Sequence, residues 1–129
     1  MIPTIEGNKL IAEFMGVKEI DGMRLIENAP HIRATCYFTP DQLEYHTSWD
    51  WLMPVVEKIA KLGFRVKTNF NPIDNSVIIQ EVGNSDNTLS MMYYSSPIEV
   101  VWLAVIQFIT WYNQQNPLIT ASVFRRGEL

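Results

Sequence analysis

The sequence predicts an α+β fold in which three helices pack on the faces of a small, mainly antiparallel sheet of about five or six strands. Three segments carry apolar residues at the i, i+3, i+4 spacing of a helix with a buried side. The segments between them alternate apolar and polar residues, which is typical of strands with one buried face. Short runs of Gly, Asn, Asp and Pro separate these strands at hairpin spacing and favour antiparallel pairing.

Size and composition indicate one domain spanning residues 1–129, large enough to form a core without disulfides or metal. Fourteen acidic and ten basic residues give a net charge of −4, which argues against a nucleic-acid-binding protein, because phosphate neutralisation needs a basic face. The single cysteine, Cys36, suggests a reducing compartment. The N-terminal residues lack the features of a signal peptide, and the longest apolar run, residues 100–106, is too short to span a membrane. We therefore expect a cytoplasmic protein with no membrane contact.

The N-terminal part is predicted to contain a helix, a hairpin and a further strand. The helix covers Asn8–Gly16, where Asn8 can cap the first turn and Gly16 can end the last one. The dipeptide Asp21-Gly22 tolerates positive φ at both positions, so the segments on either side form a hairpin. Residues 31–38, "HIRATCYF", alternate apolar and polar side chains and are predicted to form the next strand.

The second helix is predicted over Asp50–Leu62. Its apolar stripe follows the helical repeat and consists of Leu52, Val55, Val56, Ile59 and Ala60. Pro54 fits best in the first turn of a helix, so the helix should begin close to Asp50. A kinked helix that starts at Thr47 is the alternative.

Three further strands and a long helix complete the predicted fold. Residues 64–70 alternate strictly, and residues 76–82 and 88–94 flank the turn-forming run "GNSDN". The helix Pro97–Gln115 has a capping-box sequence at its start and ends before Pro117. A last short strand is a candidate at Leu118–Phe124.

The helix Pro97–Gln115 has apolar side chains on nearly all sides, so it should be buried on more than one side. In a chain of this size the second side can be covered by another subunit, because a patch that large is rarely left in water. The sequence therefore predicts a homo-oligomer.

Three blocks in this order, "NKLIAEFMG", "YHTSWDWLMPVVEKIAKLG" and "SPIEVVWLAVIQFITWYN", resemble small phage and prophage proteins of the phage ABA-sandwich domain family. The resemblance implies an ABA-sandwich, with helices on both faces of a small antiparallel sheet, and a phage source, which would place the protein in the host cytoplasm. Small phage proteins of this size often counter host defence, either by sequestering a nucleotide signal or by binding a defence protein. The resemblance implies an architecture and a class of function, and it implies no reaction.

No local signature of catalysis or of metal binding is present. The chain has only His31 and His46 as histidines and Cys36 as a thiol, and no HxxxH, HExxH or CxxC spacing occurs. It also lacks GxGxxG and Walker-type phosphate loops. We therefore expect a protein that is not an enzyme and that uses no metal and no cofactor; a catalytic group assembled from Cys36, His46 and distant carboxylates is the alternative.

An aromatic cluster before the second helix is the main candidate binding site. Tyr45, His46, Trp49 and Trp51 lie within seven residues, and such rings can stack on a base while His46 hydrogen-bonds its edge. The competing interpretation is that both tryptophans only pack the start of the helix onto the sheet. Trp51 lies off the apolar stripe of the helix, so it is the better candidate for a ring that contacts a partner.

Two arginines are candidates for neutralising the phosphate of a ligand. Arg65 shares a strand face with Lys67, and Arg126 lies in the charged tail. Such residues more often form a solvated face. The resulting hypothesis is a non-catalytic protein that binds a small nucleotide-type ligand; a protein–protein inhibitor of a host factor, or a structural module without a ligand, is the alternative.

Overall fold

The computed structural model of the chain describes residues 3–30, 32–93 and 96–115. They form the helices α1 (Thr4–Phe14), α2 (Trp49–Lys61) and α3 (Pro97–Gln115) and a short 3₁₀ turn at Pro40–Gln42. The strands are β1 (Lys18–Ile20), β2 (Met23–Ile26), β3 (Cys36–Phe38), β4 (Phe64–Phe70), β5 (Asn75–Glu81) and β6 (Asn84–Tyr93). The α+β class is confirmed. The candidate strand Leu118–Phe124 lies outside the described residues.

The strands form two sheets, where the sequence predicts one. In the described residues, β1, β2 and β3 pair in that order as the N-terminal sheet, and β4, β5 and β6 pair as the C-terminal sheet, all antiparallel. The 3₁₀ turn and α2 separate β3 from β4 along the chain. Alternation identifies a strand but not its pairing partners, so the division into two sheets cannot be deduced from the pattern.

The first hairpin forms as predicted, but the third strand is shorter than predicted. Asp21 and Gly22 have φ of 52° and 80°, as a tight hairpin turn between β1 and β2 requires. The segment before β3 folds into a compact loop, in which the Ala29 N–H donates to the Ala34 carbonyl at 3.0 Å and the Arg33 N–H donates to the Ala29 carbonyl at 2.8 Å. This loop takes residues 32–35 of the predicted strand 31–38 out of the regular strand, and His31 lies outside the described residues.

Among the described residues, helices cover only one face of the C-terminal sheet. Val77 and Ile79 on β5 are fully or almost fully buried, and α2 and α3 contact this inner face. The outer face is solvated and carries the exposed Arg65 and Lys67. β6 begins at Asn84 directly after a two-residue turn that contains Gly83 with φ 83°, so most of the predicted loop "GNSDN" is strand. The resemblance implies helices on both faces of the sheet, and the described part of the chain places none on the outer face of this sheet.

Helix α3 is buried on two sides within one chain. It contacts α1 on one side and β5 and β6 on another. Gly7 of α1 allows the close approach, since a Cβ at this position would lie 2.5 Å from Cζ2 of Trp102 and 2.6 Å from Cδ1 of Ile106. Packing within one chain thus explains why α3 has apolar side chains on nearly all sides. The homo-oligomer stays a prediction, and the composition of α3 no longer supports it.

Helix α2 begins at Trp49, one residue before the predicted start, with Ser48 as its N-cap residue. The backbone N–H groups of Trp51 and Leu52 donate to the Ser48 carbonyl at 3.2 and 3.0 Å. Pro54 lies in the second turn, deeper than the sequence argument allowed. Leu52, Val55 and Ile59 of the predicted stripe are completely buried and Val56 is partly buried, whereas Ala60 is exposed, so the stripe ends before the last turn of the helix. No helix in the described part of the chain is long and apolar enough to cross a membrane.

Helix α1 begins at Thr4, four residues before the predicted start at Asn8. Asn8 therefore lies inside the helix, where it is almost completely buried, and its side chain does not cap the first turn. Gly16, with φ 75°, follows the helix as predicted, and its N–H donates to the Glu13 carbonyl at 3.0 Å.

Candidate ligand-binding site

A cavity of about 700 Å³ lies where three connections of the chain meet, and we call it the junction cavity. Its walls come from the α1–β1 connection, the end of β2 with the loop that follows, and the first turns of α2. The described residues that line it are Met15, Gly16, Val17, Lys18, Leu25, Ile26, Glu27, Asn28, Ala29, Pro30, Arg33, Tyr45, Asp50, Trp51 and Pro54. Its volume is in the range of small-molecule sites.

Trp51 and Tyr45 form the aromatic wall of the junction cavity. Trp51 is only 3% exposed, with the Tyr45 ring edge-on at 5.2 Å on one side and the Phe38 ring edge-on at 5.3 Å on another. Trp51 therefore packs the start of α2 against the N-terminal sheet, as the competing interpretation predicts, and its contact with a partner stays a prediction. The ring leaves the apolar stripe of α2 because it packs against β3 of the N-terminal sheet, a contact that no local pattern could reveal.

Both aromatic residues carry a polar group. The buried Nε1–H of Trp51 has no acceptor among the described residues, and an unsatisfied buried donor costs about 1–3 kcal/mol. Burial raises the pKa of Tyr45 to about 12, so its phenol is neutral and keeps its proton at physiological pH. The aromatic wall therefore presents neutral groups, and charge enters the junction cavity only from its other residues.

Two basic and two acidic side chains line the remaining walls: Lys18, Arg33, Glu27 and Asp50. None of these four was predicted as a site residue. Arg33 falls in a segment interpreted as a strand, although Asn28 and Pro30, both turn formers, signal a loop before it. The opposite charges make the cavity suited to a ligand that has an anionic group and several hydrogen-bonding groups.

Backbone strain is concentrated in the loop that lines the junction cavity. In the described part of the chain, Asp21, Asn28 and Arg33 are the residues other than glycine with positive φ. The hairpin turn explains Asp21, and asparagine tolerates this conformation. Arg33, at φ 56°, has a long side chain with no such tolerance, and the conformation costs about 1–2 kcal/mol. Strain of this kind is often retained at functional sites.

The predicted aromatic cluster is divided among three environments. Only Tyr45 and Trp51 line the junction cavity. Trp49 is 38% exposed and lies 6.2 Å from the ring of Phe70 on β4. His46 is held by Asn8, whose Nδ2 donates to His46 Nδ1 at 2.9 Å. His46 therefore links the loop before α2 to α1, and the structure does not bring it to the cavity.

The predicted basic residues do not reach the junction cavity. Arg65 lies on the outer face of the C-terminal sheet, because β4 buries Phe64 and exposes its neighbour. Arg126 lies outside the described residues. Arg33 and Lys18 provide the basic groups of the cavity instead. Neither of them was predicted to bind the phosphate of a ligand.

No group of three or more His, Cys, Asp or Glu side chains in the described residues is arranged to hold a metal ion. No protein-family model matches this chain, and no curated protein or solved structure shows a significant match to it. The resemblance to the phage ABA-sandwich family therefore stays a prediction.

Proposed function

We propose that the protein acts without catalysis by binding a small anionic ligand of nucleotide type in the junction cavity. The observation that carries the proposal is Arg33, a basic residue kept in a left-handed backbone conformation at the wall of a 700 Å³ cavity. A glycine would adopt this conformation without strain, so the arginine side chain is the feature that needs an explanation. Recognition of an anionic group is the role that a guanidinium serves best.

The other lining residues support a nucleotide-type ligand. Lys18 adds a second positive charge for a phosphate. The side chains of Asn28, Glu27 and Asp50 can accept hydrogen bonds from base amino groups or ribose hydroxyls. Tyr45 and Trp51 supply the apolar, aromatic wall that a base requires.

Sequestration of a nucleotide signal of the host, as part of phage counter-defence, is the physiological role that the resemblance suggests. A binding protein of this kind needs a cavity and complementary charges, and it needs no catalytic group. The phage source and the counter-defence role remain proposals that rest on the resemblance.

Thermal unfolding with a nucleotide panel tests the proposal. We expect a cyclic dinucleotide or ADP-ribose at millimolar concentration to raise the Tm of the protein, since saturation at about 100 times Kd adds about 2.7 kcal/mol of stability. Adenosine, which lacks phosphate, should have a much smaller effect. Arg33→Gly should remove the response to the phosphorylated ligand while the protein stays folded.

Asp21→Gly is the matched control, because it changes another residue with positive φ that does not line the cavity. This variant should keep the full ligand response. If none of the nucleotides raises the Tm, or if Arg33→Gly responds like the unmodified protein, the proposal is wrong.

An exposed apolar patch supports protein binding as a second candidate function. Trp49 and Met53 lie one turn apart on α2, Phe70 contacts Trp49, and all three are exposed. Clustered exposed aromatic and methionine side chains are common at protein interfaces. If the target is a host protein, Trp49→Ala with Phe70→Ala should abolish its binding, whereas Arg33→Gly should leave it unchanged.

A further inference from the structure

A second cavity, of about 340 Å³, lies between the C-terminal part of α3 and the C-terminal sheet, and the first half of β6 supplies most of its lining. We call it the edge cavity, because β6 is an edge strand of the C-terminal sheet. It shares no lining residue with the junction cavity. An inference about the edge cavity therefore does not depend on the proposed function.

The floor of the edge cavity is aromatic. The rings of Phe64, Phe108 and Trp111 are in mutual contact, with centroid separations of 4.8 Å, 5.8 Å and 6.0 Å. Phe64 and Phe108 are buried, and Trp111 is only partly buried. Together with Ile79 and Leu89, these rings offer an apolar surface on which a ligand of matching size can bury its carbon skeleton.

The rim of the edge cavity is acidic. The exposed Asp86 contributes directly to the lining. Asn87, also in the lining, donates a hydrogen bond from Nδ2 to the carboxylate of Glu81, which places a second negative charge beside the rim. None of the described residues that line the cavity is basic. An anionic ligand is disfavoured here, and a cation is favoured.

We propose that the edge cavity binds an organic ammonium ion with an apolar body. The apolar part packs on the floor formed by Phe64, Phe108 and Trp111, and the cationic head lies between the Asp86 carboxylate and the indole of Trp111. Tryptophan attracts a cation more strongly than other aromatic rings do, and a substituted ammonium loses less hydration than an inorganic cation when it meets a ring. The aromatic floor and the acidic rim thus favour the same class of ligand, an apolar organic cation.

Titration with three probes that share a phenyl group tests this proposal. The probes are benzyltrimethylammonium, benzyl alcohol and phenylacetate, followed by ¹H–¹⁵N NMR spectra of the full chain. We expect the ammonium to shift the indole N–H signal of Trp111 and the backbone amide of Leu89 in a saturable way. Benzyl alcohol should bind more weakly, and phenylacetate should give no saturable shift.

Two variants locate the charge that is responsible. Asp86→Asn should weaken ammonium binding about three- to tenfold, whereas Glu57→Gln, which removes an exposed carboxylate on α2, should leave it unchanged. Both positions are exposed, so both variants should fold. Equal binding of ammonium and phenylacetate, an unaltered affinity of Asp86→Asn, or no shift with any probe would each overturn the proposal.

Discussion

The indole Nε1–H of Trp102 donates a hydrogen bond of 2.9 Å to Oδ1 of Asn8, joining α3 to α1 across 94 residues of sequence. Asn8 is almost completely buried, and its Nδ2 also donates to the Leu43 carbonyl at 3.0 Å and to His46 Nδ1. One amide of α1 thus satisfies three groups, two from the loop before α2 and one from α3. Because both ends of the amide are used, its orientation is fixed by its partners.

Asn8→Ala should therefore lower the free energy of unfolding by at least about 2 kcal/mol, since it leaves the buried indole N–H and the Leu43 carbonyl without partners. Urea denaturation followed by circular dichroism measures this loss. Asn69→Ala, on the exposed face of β4, is the control and should change stability by less than about 0.5 kcal/mol. Equal stability of the two variants would show that the hydrogen bonds of Asn8 do not stabilise the fold.

Gly7→Ala should destabilise the protein although alanine is the better helix former. Within α1 the substitution alone would gain about 1 kcal/mol. The added Cβ, however, would lie only 2.5 Å from a ring carbon of Trp102, and relieving such overpacking costs about 1–3 kcal/mol. We expect a lower Tm for Gly7→Ala and an unchanged or higher Tm for Glu6→Ala, at the exposed neighbouring position. A higher Tm for Gly7→Ala would mean that α1 and α3 leave enough room for a Cβ at position 7, which contradicts the contact described above.

The two tryptophans of α2 should differ strongly in their contribution to stability. Trp51→Ala removes a buried ring that contacts Tyr45 and Phe38, and such truncations cost about 3–5 kcal/mol. Trp49→Ala removes a partly exposed ring whose described aromatic partner is Phe70, and it should cost no more than about 1.5 kcal/mol. Chemical denaturation of both variants measures the difference. A larger loss of stability for Trp49→Ala than for Trp51→Ala would contradict the finding that Trp51 is the more buried ring.

The features that the sequence could predict are those determined by near neighbours. The dipeptide Asp21-Gly22 defines a turn because its backbone tolerates positive φ, and the stripe of Leu52, Val55 and Ile59 defines the buried side of a helix. The start of α3 at Pro97 is another such feature, because proline at this position needs no hydrogen-bond partner.

The candidate site was mostly beyond prediction, because its walls come from segments far apart in the chain. Trp51 lies off the stripe and is therefore the better candidate for contact with a partner, but its ring is buried against Phe38 of the N-terminal sheet. Arg33 was read as part of a regular strand, and only the folded loop shows its left-handed backbone. Periodicity reveals which side of an element is apolar, and it does not reveal how many neighbours cover that element.

Arg33→Gly should keep or raise the stability of the protein in the absence of ligand. Glycine relieves a conformation that costs about 1–2 kcal/mol, and the greater flexibility of glycine in the unfolded chain cancels about 0.5–1 kcal/mol of that gain. We expect a net change between zero and about 1.5 kcal/mol in favour of folding, measured by urea denaturation. Arg33→Ala should be less stable than Arg33→Gly, because alanine keeps the strain. A loss of more than about 1 kcal/mol in the glycine variant would mean that the Arg33 side chain supports the fold.

Tyr45 should make the protein lose stability between about pH 10 and pH 12. Burial raises the pKa of its phenol from 10.0 to about 12, so the folded protein retains a proton that the unfolded chain releases in this interval. The stability that depends on the protonated phenol is complete below pH 10 and is lost as the pH rises through 12. The rise of the pKa from 10.0 to about 12 corresponds to about 2–3 kcal/mol in the free energy of unfolding. Urea midpoints measured from pH 9 to pH 12 should therefore fall more steeply than in Tyr45→Phe, which keeps the ring against Trp51. Parallel pH profiles of the two proteins would show that the phenol ionises as readily when folded as when unfolded.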